Sequence, residues 1–124
     1  MKITLYKCPI CGNIVHSIKD SGQAVSCCGQ KMEPISIGMQ DASHEKHVPV
    51  ATVSGNTVHV KVGEVDHPMN EDHFIEWIAI ETEKTSQLVR LTPGHIPEAT
   101  FSLCKCDTFQ AAYAYCNLHG LWKG

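Results

Sequence analysis

Thr57-Val58-His59-Val60-Lys61-Val62 is the stretch that decides the fold. Its three valines alternate with polar residues, so in an extended chain they share one face. The turn pair Gly55-Asn56 stands immediately before it. The stretch therefore predicts a β-strand with its valine face buried and its other face, which carries His59, exposed to solvent.

Similar segments follow this strand and precede it. They are rich in β-branched or aromatic residues and are bounded by turn signals such as Pro93-Gly94. Alternation within Phe74–Thr82 places Ile75 on the same face as Trp77 and Ala79. Short strands separated by turns predict an all-β chain built around an antiparallel sandwich. The other predicted strands are Val48–Ser54, Phe74–Thr82, Gln87–Thr92, Phe101–Cys106 and Ala111–Cys116.

Residues 1–38 differ, because they hold four of the seven cysteines. Cys8-Pro9-Ile10-Cys11-Gly12 has the spacing of a metal knuckle, in which both thiolates face one ion. Cys27 and Cys28 are adjacent, so both reach one ion only if the chain bends, and Gly29 permits such a bend. Four thiolates predict a tetrahedral zinc or iron site, and spacing alone leaves both metals open.

A polar connector at 40–43 separates this segment from the predicted strands, so we expect two domains, 1–38 and 39–124. The first is too short to bury a sufficient core. A structural metal site contributes roughly 10–16 kcal/mol of apparent folding free energy, enough to stabilise a segment of this size.

Composition excludes several classes of protein. The 124-residue chain has a net charge of −3 and no basic run, which argues against a nucleic-acid partner. No apolar stretch approaches membrane-spanning length, and the N-terminus lacks the apolar core of a secretory signal. We therefore expect a cytoplasmic protein that does not bind membranes, in which cysteines are metal ligands or free thiols and not disulfides.

A second metal site is predicted near the C-terminus, where His119 follows Cys116 by three residues. His47, His67 and His73 stand at predicted strand ends, where loops converge. A soft thiolate with several imidazoles favours a redox-active transition metal. A blue-copper site is the rival interpretation, but no methionine follows the last histidine and more than two histidines are at hand. The remaining histidines are expected to be structural or solvated: His16, His44, His59 and His95.

Taken together, five motifs resemble those of the desulfoferrodoxin family of superoxide reductases, in its two-iron form. The resemblance covers nearly the whole chain, and the order of the motifs makes it specific. The motifs are Cys8-Pro9-Ile10-Cys11 with Cys27-Cys28, Glu45-Lys46-His47-Val48-Pro49, His67-Pro68-Met69, His73-Phe74-Ile75-Glu76-Trp77 and Cys116-Asn117-Leu118-His119-Gly120.

The resemblance implies a small rubredoxin-like (desulforedoxin-like) metal domain followed by an immunoglobulin-like antiparallel β-sandwich, assembled as a homodimer. It implies two iron ions per chain. The first would be bound by Cys8, Cys11, Cys27 and Cys28. The second would be bound by His47, His67, His73 and His119, with Cys116 as the axial ligand. Lys46 and Glu45 match the family's active-site lysine and its glutamate, which can bind the ferric iron.

The implied activity is the one-electron reduction of superoxide to hydrogen peroxide without dioxygen, with electrons from a rubredoxin-type donor. Five ligands leave one iron position open, opposite the sulfur, and thiolate donation favours the ferric state. Lys46 would attract the superoxide anion. Cys104 and Cys106 lie outside the family motifs, and as alternate residues of a predicted strand they are expected to be small buried side chains.

Two other functions remain open at this point. One is a non-catalytic electron carrier that depends on the cysteine cluster alone. The other is a zinc-stabilised binding module. Metal content separates the three, since two irons per chain fit the reductase, one iron fits the carrier and colourless zinc fits the module.

Overall fold

The computed structural model describes residues 3–38, 47–63 and 67–124, which contain twelve β-strands. The described residues form two compact units, one that ends at Ser36 and one that begins at Ile37. The predicted all-β class is therefore confirmed.

The larger unit is a sandwich of two antiparallel sheets. Its strands are β6 (Pro49–Ser54), β7 (Thr57–Val62), β8 (Ile75–Thr82), β9 (Ser86–Arg90), β10 (Glu98–Ser102), β11 (Phe109–Cys116) and β12 (Gly120–Lys123). One sheet has the order β10-β7-β6 and the other the order β12-β11-β8-β9. Their inner faces share one core, in which the predicted valine stripe of β7 packs with Ile78, Ile80 and Ala112. The sandwich follows from this alternation, because each sheet buries its apolar face against the other.

A β-bulge corrects one prediction about β8. Tyr115 pairs with Trp77, but the next residue, Cys116, pairs with Ile75, so β8 carries an extra residue at Glu76. The bulge turns Ile75 into the core with Ile78, whereas alternation alone predicted that it shares a face with Trp77. It also sets Ile75 directly beside Cys116, at the end of the sheet where the predicted metal ligands lie.

The predicted strand Phe101–Cys106 ends earlier than expected. β10 stops at Ser102, which pairs with Thr57, the first residue of β7. Among the strands that the structure describes, none pairs with the chain beyond that point, and it forms a turn instead. Cys104 and Cys106 are exposed on this turn, so the prediction that they are buried was wrong.

The smaller unit has little core of its own. Its strands are β1 (Leu5–Lys7), β2 (Ile14–His16), β3 (Ser26–Cys27), β4 (Gln30–Lys31) and β5 (Glu33–Pro34), in a β2-β1-β5 sheet and a β3-β4 hairpin. Within residues 3–36, the buried hydrophobic residues are Leu5, Cys8 and Met32. So small a core agrees with the expectation that a metal stabilises this unit.

A buried hydrogen bond joins two strands of the larger unit, and it gives a first test. The Tyr113 hydroxyl donates to Glu81 Oε1 at 2.7 Å. Tyr113→Phe removes the donor and leaves the carboxylate buried, so we expect a loss of about 1–3 kcal/mol of unfolding free energy at pH 7. Urea denaturation measures this loss, and unchanged stability would contradict it.

The same tyrosine makes stability depend on alkaline pH. Burial raises the pKa of Tyr113 above its usual range, so the folded protein holds the phenolic proton more tightly than the unfolded chain. This contribution is fully present below the unfolded pKa, near 10, and is lost as the pH rises through the higher folded value. Tyr113→Phe should therefore flatten the fall in stability above about pH 10.

Candidate metal centres

Four histidines and one cysteine converge at one end of the larger unit. Their ligand atoms lie within 4.8 Å of one another, and the residues are His47, His67, His73, Cys116 and His119. His47, His67 and Cys116 are buried, whereas His119 is exposed. The group therefore lies at the boundary between the core and solvent.

The β11–β12 hairpin positions two members of this group. Cys116 is the last residue of β11 and pairs with Gly120, the first residue of β12. Gly120 has a φ of 82°, which a residue with a side chain rarely adopts, and this closes the short loop between the strands. The loop brings Cys116 Sγ to 3.7 Å from His119 Nδ1.

The spacing of the imidazole nitrogens fits a shared metal ion. His47 Nε2 lies 3.0 Å from His67 Nε2 and 3.1 Å from His119 Nδ1. Two nitrogens that each bind an ion at about 2.1 Å and at a right angle are separated by about 3.0 Å. The spacing is therefore that of adjacent ligands of one ion.

Protonation of the buried donors also suits a metal. Burial lowers the pKa of His67 to about 4, which keeps the imidazole neutral. Its Nδ1 lies 2.7 Å from the Pro68 carbonyl oxygen and donates to it, so Nε2 is left with a lone pair for an ion. Burial raises the pKa of the Cys116 thiol, so a bound cation is needed to hold it as a thiolate.

Two neighbouring side chains support the histidine group without belonging to it. The Trp122 ring stacks on His47 with centroids 4.9 Å apart, and its Nε1 donates to the His119 carbonyl oxygen. Asn117 Oδ1 accepts from the backbone N–H of Phe74 at 2.9 Å, and its Nδ2 donates to the Asp72 carbonyl oxygen at 3.0 Å. Asn117 thus holds the residues on both sides of His73.

The four N-terminal cysteines form a second group, again within 4.8 Å of one another. Cys27 Sγ lies 3.7 Å from Cys11 Sγ and 3.9 Å from Cys28 Sγ. A tetrahedral ion with sulfur ligands at about 2.3 Å requires sulfur separations of about 3.8 Å. The group therefore fits a tetrahedral zinc or iron ion.

Local turns explain how these cysteines meet. Cys28 and Gly29 form the two-residue loop between β3 and β4, with φ values of 54° and 74°. Two successive positive φ angles are typical of a type I′ hairpin, and this is the bend predicted for the adjacent cysteines. The backbone N–H of Cys11 donates to Cys8 Sγ at 3.5 Å, and with further hydrogen bonds from Ile10 and the neighbouring thiols it lowers the pKa of Cys8 to about 6. Sulfur–sulfur hydrogen bonding, chiefly with Cys11, raises the pKa of Cys28 to about 12, so the cluster needs a cation to ionise fully.

Comparison with known proteins assigns both units to one family. The profile of the family described as desulfoferrodoxin matches residues 39–124, and that of the desulfoferrodoxin N-terminal domain matches residues 1–35. The chain belongs to the desulfoferrodoxin family. The predicted family resemblance is therefore confirmed.

Several relatives match this chain over nearly its full length. It is 44% identical to a desulfoferrodoxin homolog of Archaeoglobus fulgidus, over 96% of this chain and 94% of that protein. It is 45% identical to the desulfoferrodoxin of Nitratidesulfovibrio vulgaris, over 96% of this chain and 93% of that one. Among solved structures, the superoxide reductase from Treponema pallidum is similar with a TM-score of 0.84 and 35% identity, over 99% of this chain and 97% of that one.

The structure brings together the nine residues that the sequence singled out as metal ligands, in the two groups expected. Lys46 and Glu45, singled out as active-site residues, lie outside the described residues, as does His44. His16, His59 and His95 are exposed, and the described metal-binding groups do not include them. Asn117 and Trp122 went unnoticed as supporting residues, although both lie within or next to the last family motif.

Asn117 gives a test of how the desulfoferrodoxin site is held. Asn117→Ala removes both side-chain hydrogen bonds to the His73 segment, and loss of such outer contacts typically lowers metal affinity 10- to 100-fold. We expect iron at the histidine site to be lost that much more readily to a chelator, which its visible absorption follows. The matched control is Leu118→Ala at the exposed neighbouring position, which should retain iron as the wild type does. Equal iron retention in both variants would contradict the role of Asn117.

Proposed function

We propose that this protein is a superoxide reductase, which reduces superoxide to hydrogen peroxide by one electron and forms no dioxygen. The observation that carries the proposal is the convergence of four imidazoles and one thiolate at a single point. The full-length similarity to a superoxide reductase supports it.

Two iron ions fit the two groups of donors. The proposed ligands of the first are Cys8, Cys11, Cys27 and Cys28, and those of the second are His47, His67, His73, His119 and Cys116. When bound at the second site, iron supplies the electron that superoxide accepts, and a thiolate ligand stabilises its oxidised state. Five protein donors would leave a six-coordinate ion one position for a small ligand, as a reactive site requires.

The solvent exposure of the histidine ligands shows where a small molecule can reach the site. His119 is exposed, whereas His47 and His67 are buried. The group is therefore closed to solvent at His47 and His67 and open to it at His119. Burial keeps the His67 imidazole neutral by lowering its pKa, and its hydrogen bond to Pro68 fixes it in the tautomer that binds metal.

Lys46 is proposed to attract superoxide, and Glu45 is proposed as a residue that can bind the ferric iron. The net charge of the chain is −3, so attraction of an anion requires local positive charge. A lysine about 6 Å from the anion, at an effective dielectric near 20, contributes roughly 3 kcal/mol, which is about a hundredfold in local attraction.

Lys46→Ala tests this role. We expect the rate constant for superoxide to fall by up to about a hundredfold and to depend less on ionic strength, because salt screens the attraction that the variant lacks. Pulse radiolysis at two salt concentrations measures both effects, and iron content should stay normal. Lys105→Ala, an exposed lysine on the β10–β11 connection, is the matched control and should react as the wild type does. An unchanged rate in Lys46→Ala would remove this lysine from the mechanism.

Three further proposals complete this function. We propose that residues 1–38 and 39–124 are separate functional domains, that a rubredoxin-type protein donates the electrons and that the protein is a homodimer. The family resemblance supports all three, and light scattering tests the dimer. We also propose a cytoplasmic location, because five cysteines grouped as metal ligands and two exposed thiols suit a reducing compartment. Within the described residues, no helix is long and apolar enough to cross a membrane.

The reaction itself is tested by its products. The protein is reduced without oxygen and then exposed to a superoxide source, while peroxide and dioxygen are followed separately. A reductase yields one peroxide per superoxide consumed and no dioxygen. Dioxygen in equal amount to peroxide would mean dismutation and would overturn the proposal.

A further inference from the structure

Cys104 and Cys106, which the proposed function does not use, lie together on a turn of the larger unit. β10 ends at Ser102, and the backbone N–H of Asp107 donates to the Cys104 carbonyl oxygen at 3.0 Å. This hydrogen bond closes a four-residue turn in which the cysteines hold the first and third positions. Both thiols are free and exposed.

The turn brings the two cysteines closer than a strand would. In an extended strand, alternate Cα atoms are roughly 6.6–7 Å apart. A disulfide usually joins Cα atoms about 4.4–6.8 Å apart. The second residue of a β-turn is bent and not fully extended, so the Cα atoms of its first and third residues lie closer together than in a strand. The pair is therefore within the Cα separation that a disulfide spans.

The turn is fixed at both of its flanks. The backbone N–H of Leu103 donates to the Asn56 carbonyl oxygen at 2.7 Å. On the other side, the Asp107 carboxylate accepts from the Thr82 hydroxyl at 2.6 Å and from the backbone N–H of Lys84 at 3.1 Å. These bonds hold the flanks while the tip presents both thiols to solvent, so the cysteines stay close without large loop movement.

The pair is also remote from the histidine site. β8 begins at Ile75 beside Cys116 and ends at Thr82, to which the turn is bound. Seven residues of strand span about 23 Å. Neither thiol can therefore share a metal ion with the histidine group, and chemistry at one place can be measured apart from the other.

We propose that Cys104 and Cys106 form a reversible dithiol–disulfide couple that hydrogen peroxide oxidises. One thiol attacks peroxide and breaks the O–O bond, which gives a sulfenic acid and releases water. The second thiol attacks this sulfur, the S–S bond forms and a second water leaves. The pair loses two electrons and two protons, and a small dithiol restores it by exchange. Supply of peroxide in the cell rests on the proposed function, but the thiol reaction itself does not.

Lys105, which stands between the two cysteines, makes the disulfide easy to detect. The metal-loaded protein is treated with added hydrogen peroxide, its remaining thiols are alkylated, and the denatured chain is cleaved with trypsin. Because cleavage after Lys105 separates the cysteines, a disulfide leaves peptides 91–105 and 106–123 joined in the mass spectrum. We expect this joined species after peroxide, its loss on treatment with dithiothreitol, and a monomer on a non-reducing gel before digestion.

Two single variants make the test specific. Cys106→Ser keeps Cys116 in the same peptide, so loss of the joined species in this variant excludes a link from Cys104 to Cys116. In Cys104→Ser and Cys106→Ser the remaining thiol should accumulate sulfenic or sulfinic acid. Any one of four outcomes would overturn the proposal. These are sulfinic acid in the wild type, a disulfide between two copies of the chain, thiols that stay reduced after peroxide, and joined peptides in Cys106→Ser. None of these outcomes bears on superoxide reduction, which is measured by its own products.

Discussion

Serine in place of Cys116 should lower the rate of superoxide reduction more than about a hundredfold and remove the thiolate-to-iron absorption band of the histidine site. Cys116 is the single sulfur among the five converging donors, and it is fully buried at the end of β11. Changing residues that only support a metal ligand typically costs 10- to 100-fold, so loss of a ligand should cost more. A serine hydroxyl does not ionise as a thiol does, so it cannot supply the electron donation that favours ferric iron.

The serine variant should still fold. Serine is close to cysteine in size, and burying its hydroxyl costs roughly 1–3 kcal/mol. Urea denaturation checks this, and iron at the four-cysteine cluster should be unchanged. Cys106→Ser is the matched control, because this cysteine is exposed on the turn after β10 and should leave the rate unaltered. A serine variant with the full rate and the original absorption band would remove Cys116 from the site.

Alanine in place of Cys11 should unfold the smaller unit and leave the larger one intact. Within residues 3–36 the buried hydrophobic residues are Leu5, Cys8 and Met32, too few to stabilise a fold alone. A structural metal contributes roughly 10–16 kcal/mol of apparent folding free energy. This exceeds the stability expected of the unit, so loss of the metal should unfold it. Cys11 is exposed, so the change leaves no cavity, and a loss of structure would report the metal and not packing.

Hydrogen exchange followed by mass spectrometry tests this prediction. In Cys11→Ala, amides of β1 and β2 should exchange as in an unfolded chain, while those of β7 and β8 stay protected by the sandwich core. Ile10→Ala is the matched control, because Ile10 is 58% exposed and lies between the same two cysteines. Protected β1 amides in Cys11→Ala would show that the unit folds without its full set of cysteines.

Local patterns predicted much of this fold. β7 spans Thr57–Val62 as predicted, because valine alternation and the preceding turn are both visible in the sequence. The bend at Cys28 and Gly29 could be predicted because adjacent cysteines can serve one ion only through such a bend. In both places, the residues that determine the local structure lie within a few positions of one another in the sequence.

The errors arose where distant residues decide the structure. The bulge at Glu76 depends on the pairing of β8 with β11, which no local pattern records. The early end of β10 depends on where its partner β7 begins, so Cys104 and Cys106 were wrongly predicted to be buried. Asn117 supports His73 from 44 positions away, as its hydrogen bonds to Asp72 and Phe74 show, and its own neighbours in sequence give no sign of this.

Crystallography with anomalous diffraction at the iron absorption edge tests the central claim most directly. The account predicts two iron peaks per chain, one bonded to four cysteine sulfurs and one bonded to the imidazoles of His47, His67, His73 and His119 and to Cys116 Sγ. A histidine group that holds no iron in the protein as purified from iron-replete cells, or an iron there to which Cys116 Sγ is not bonded, would contradict it.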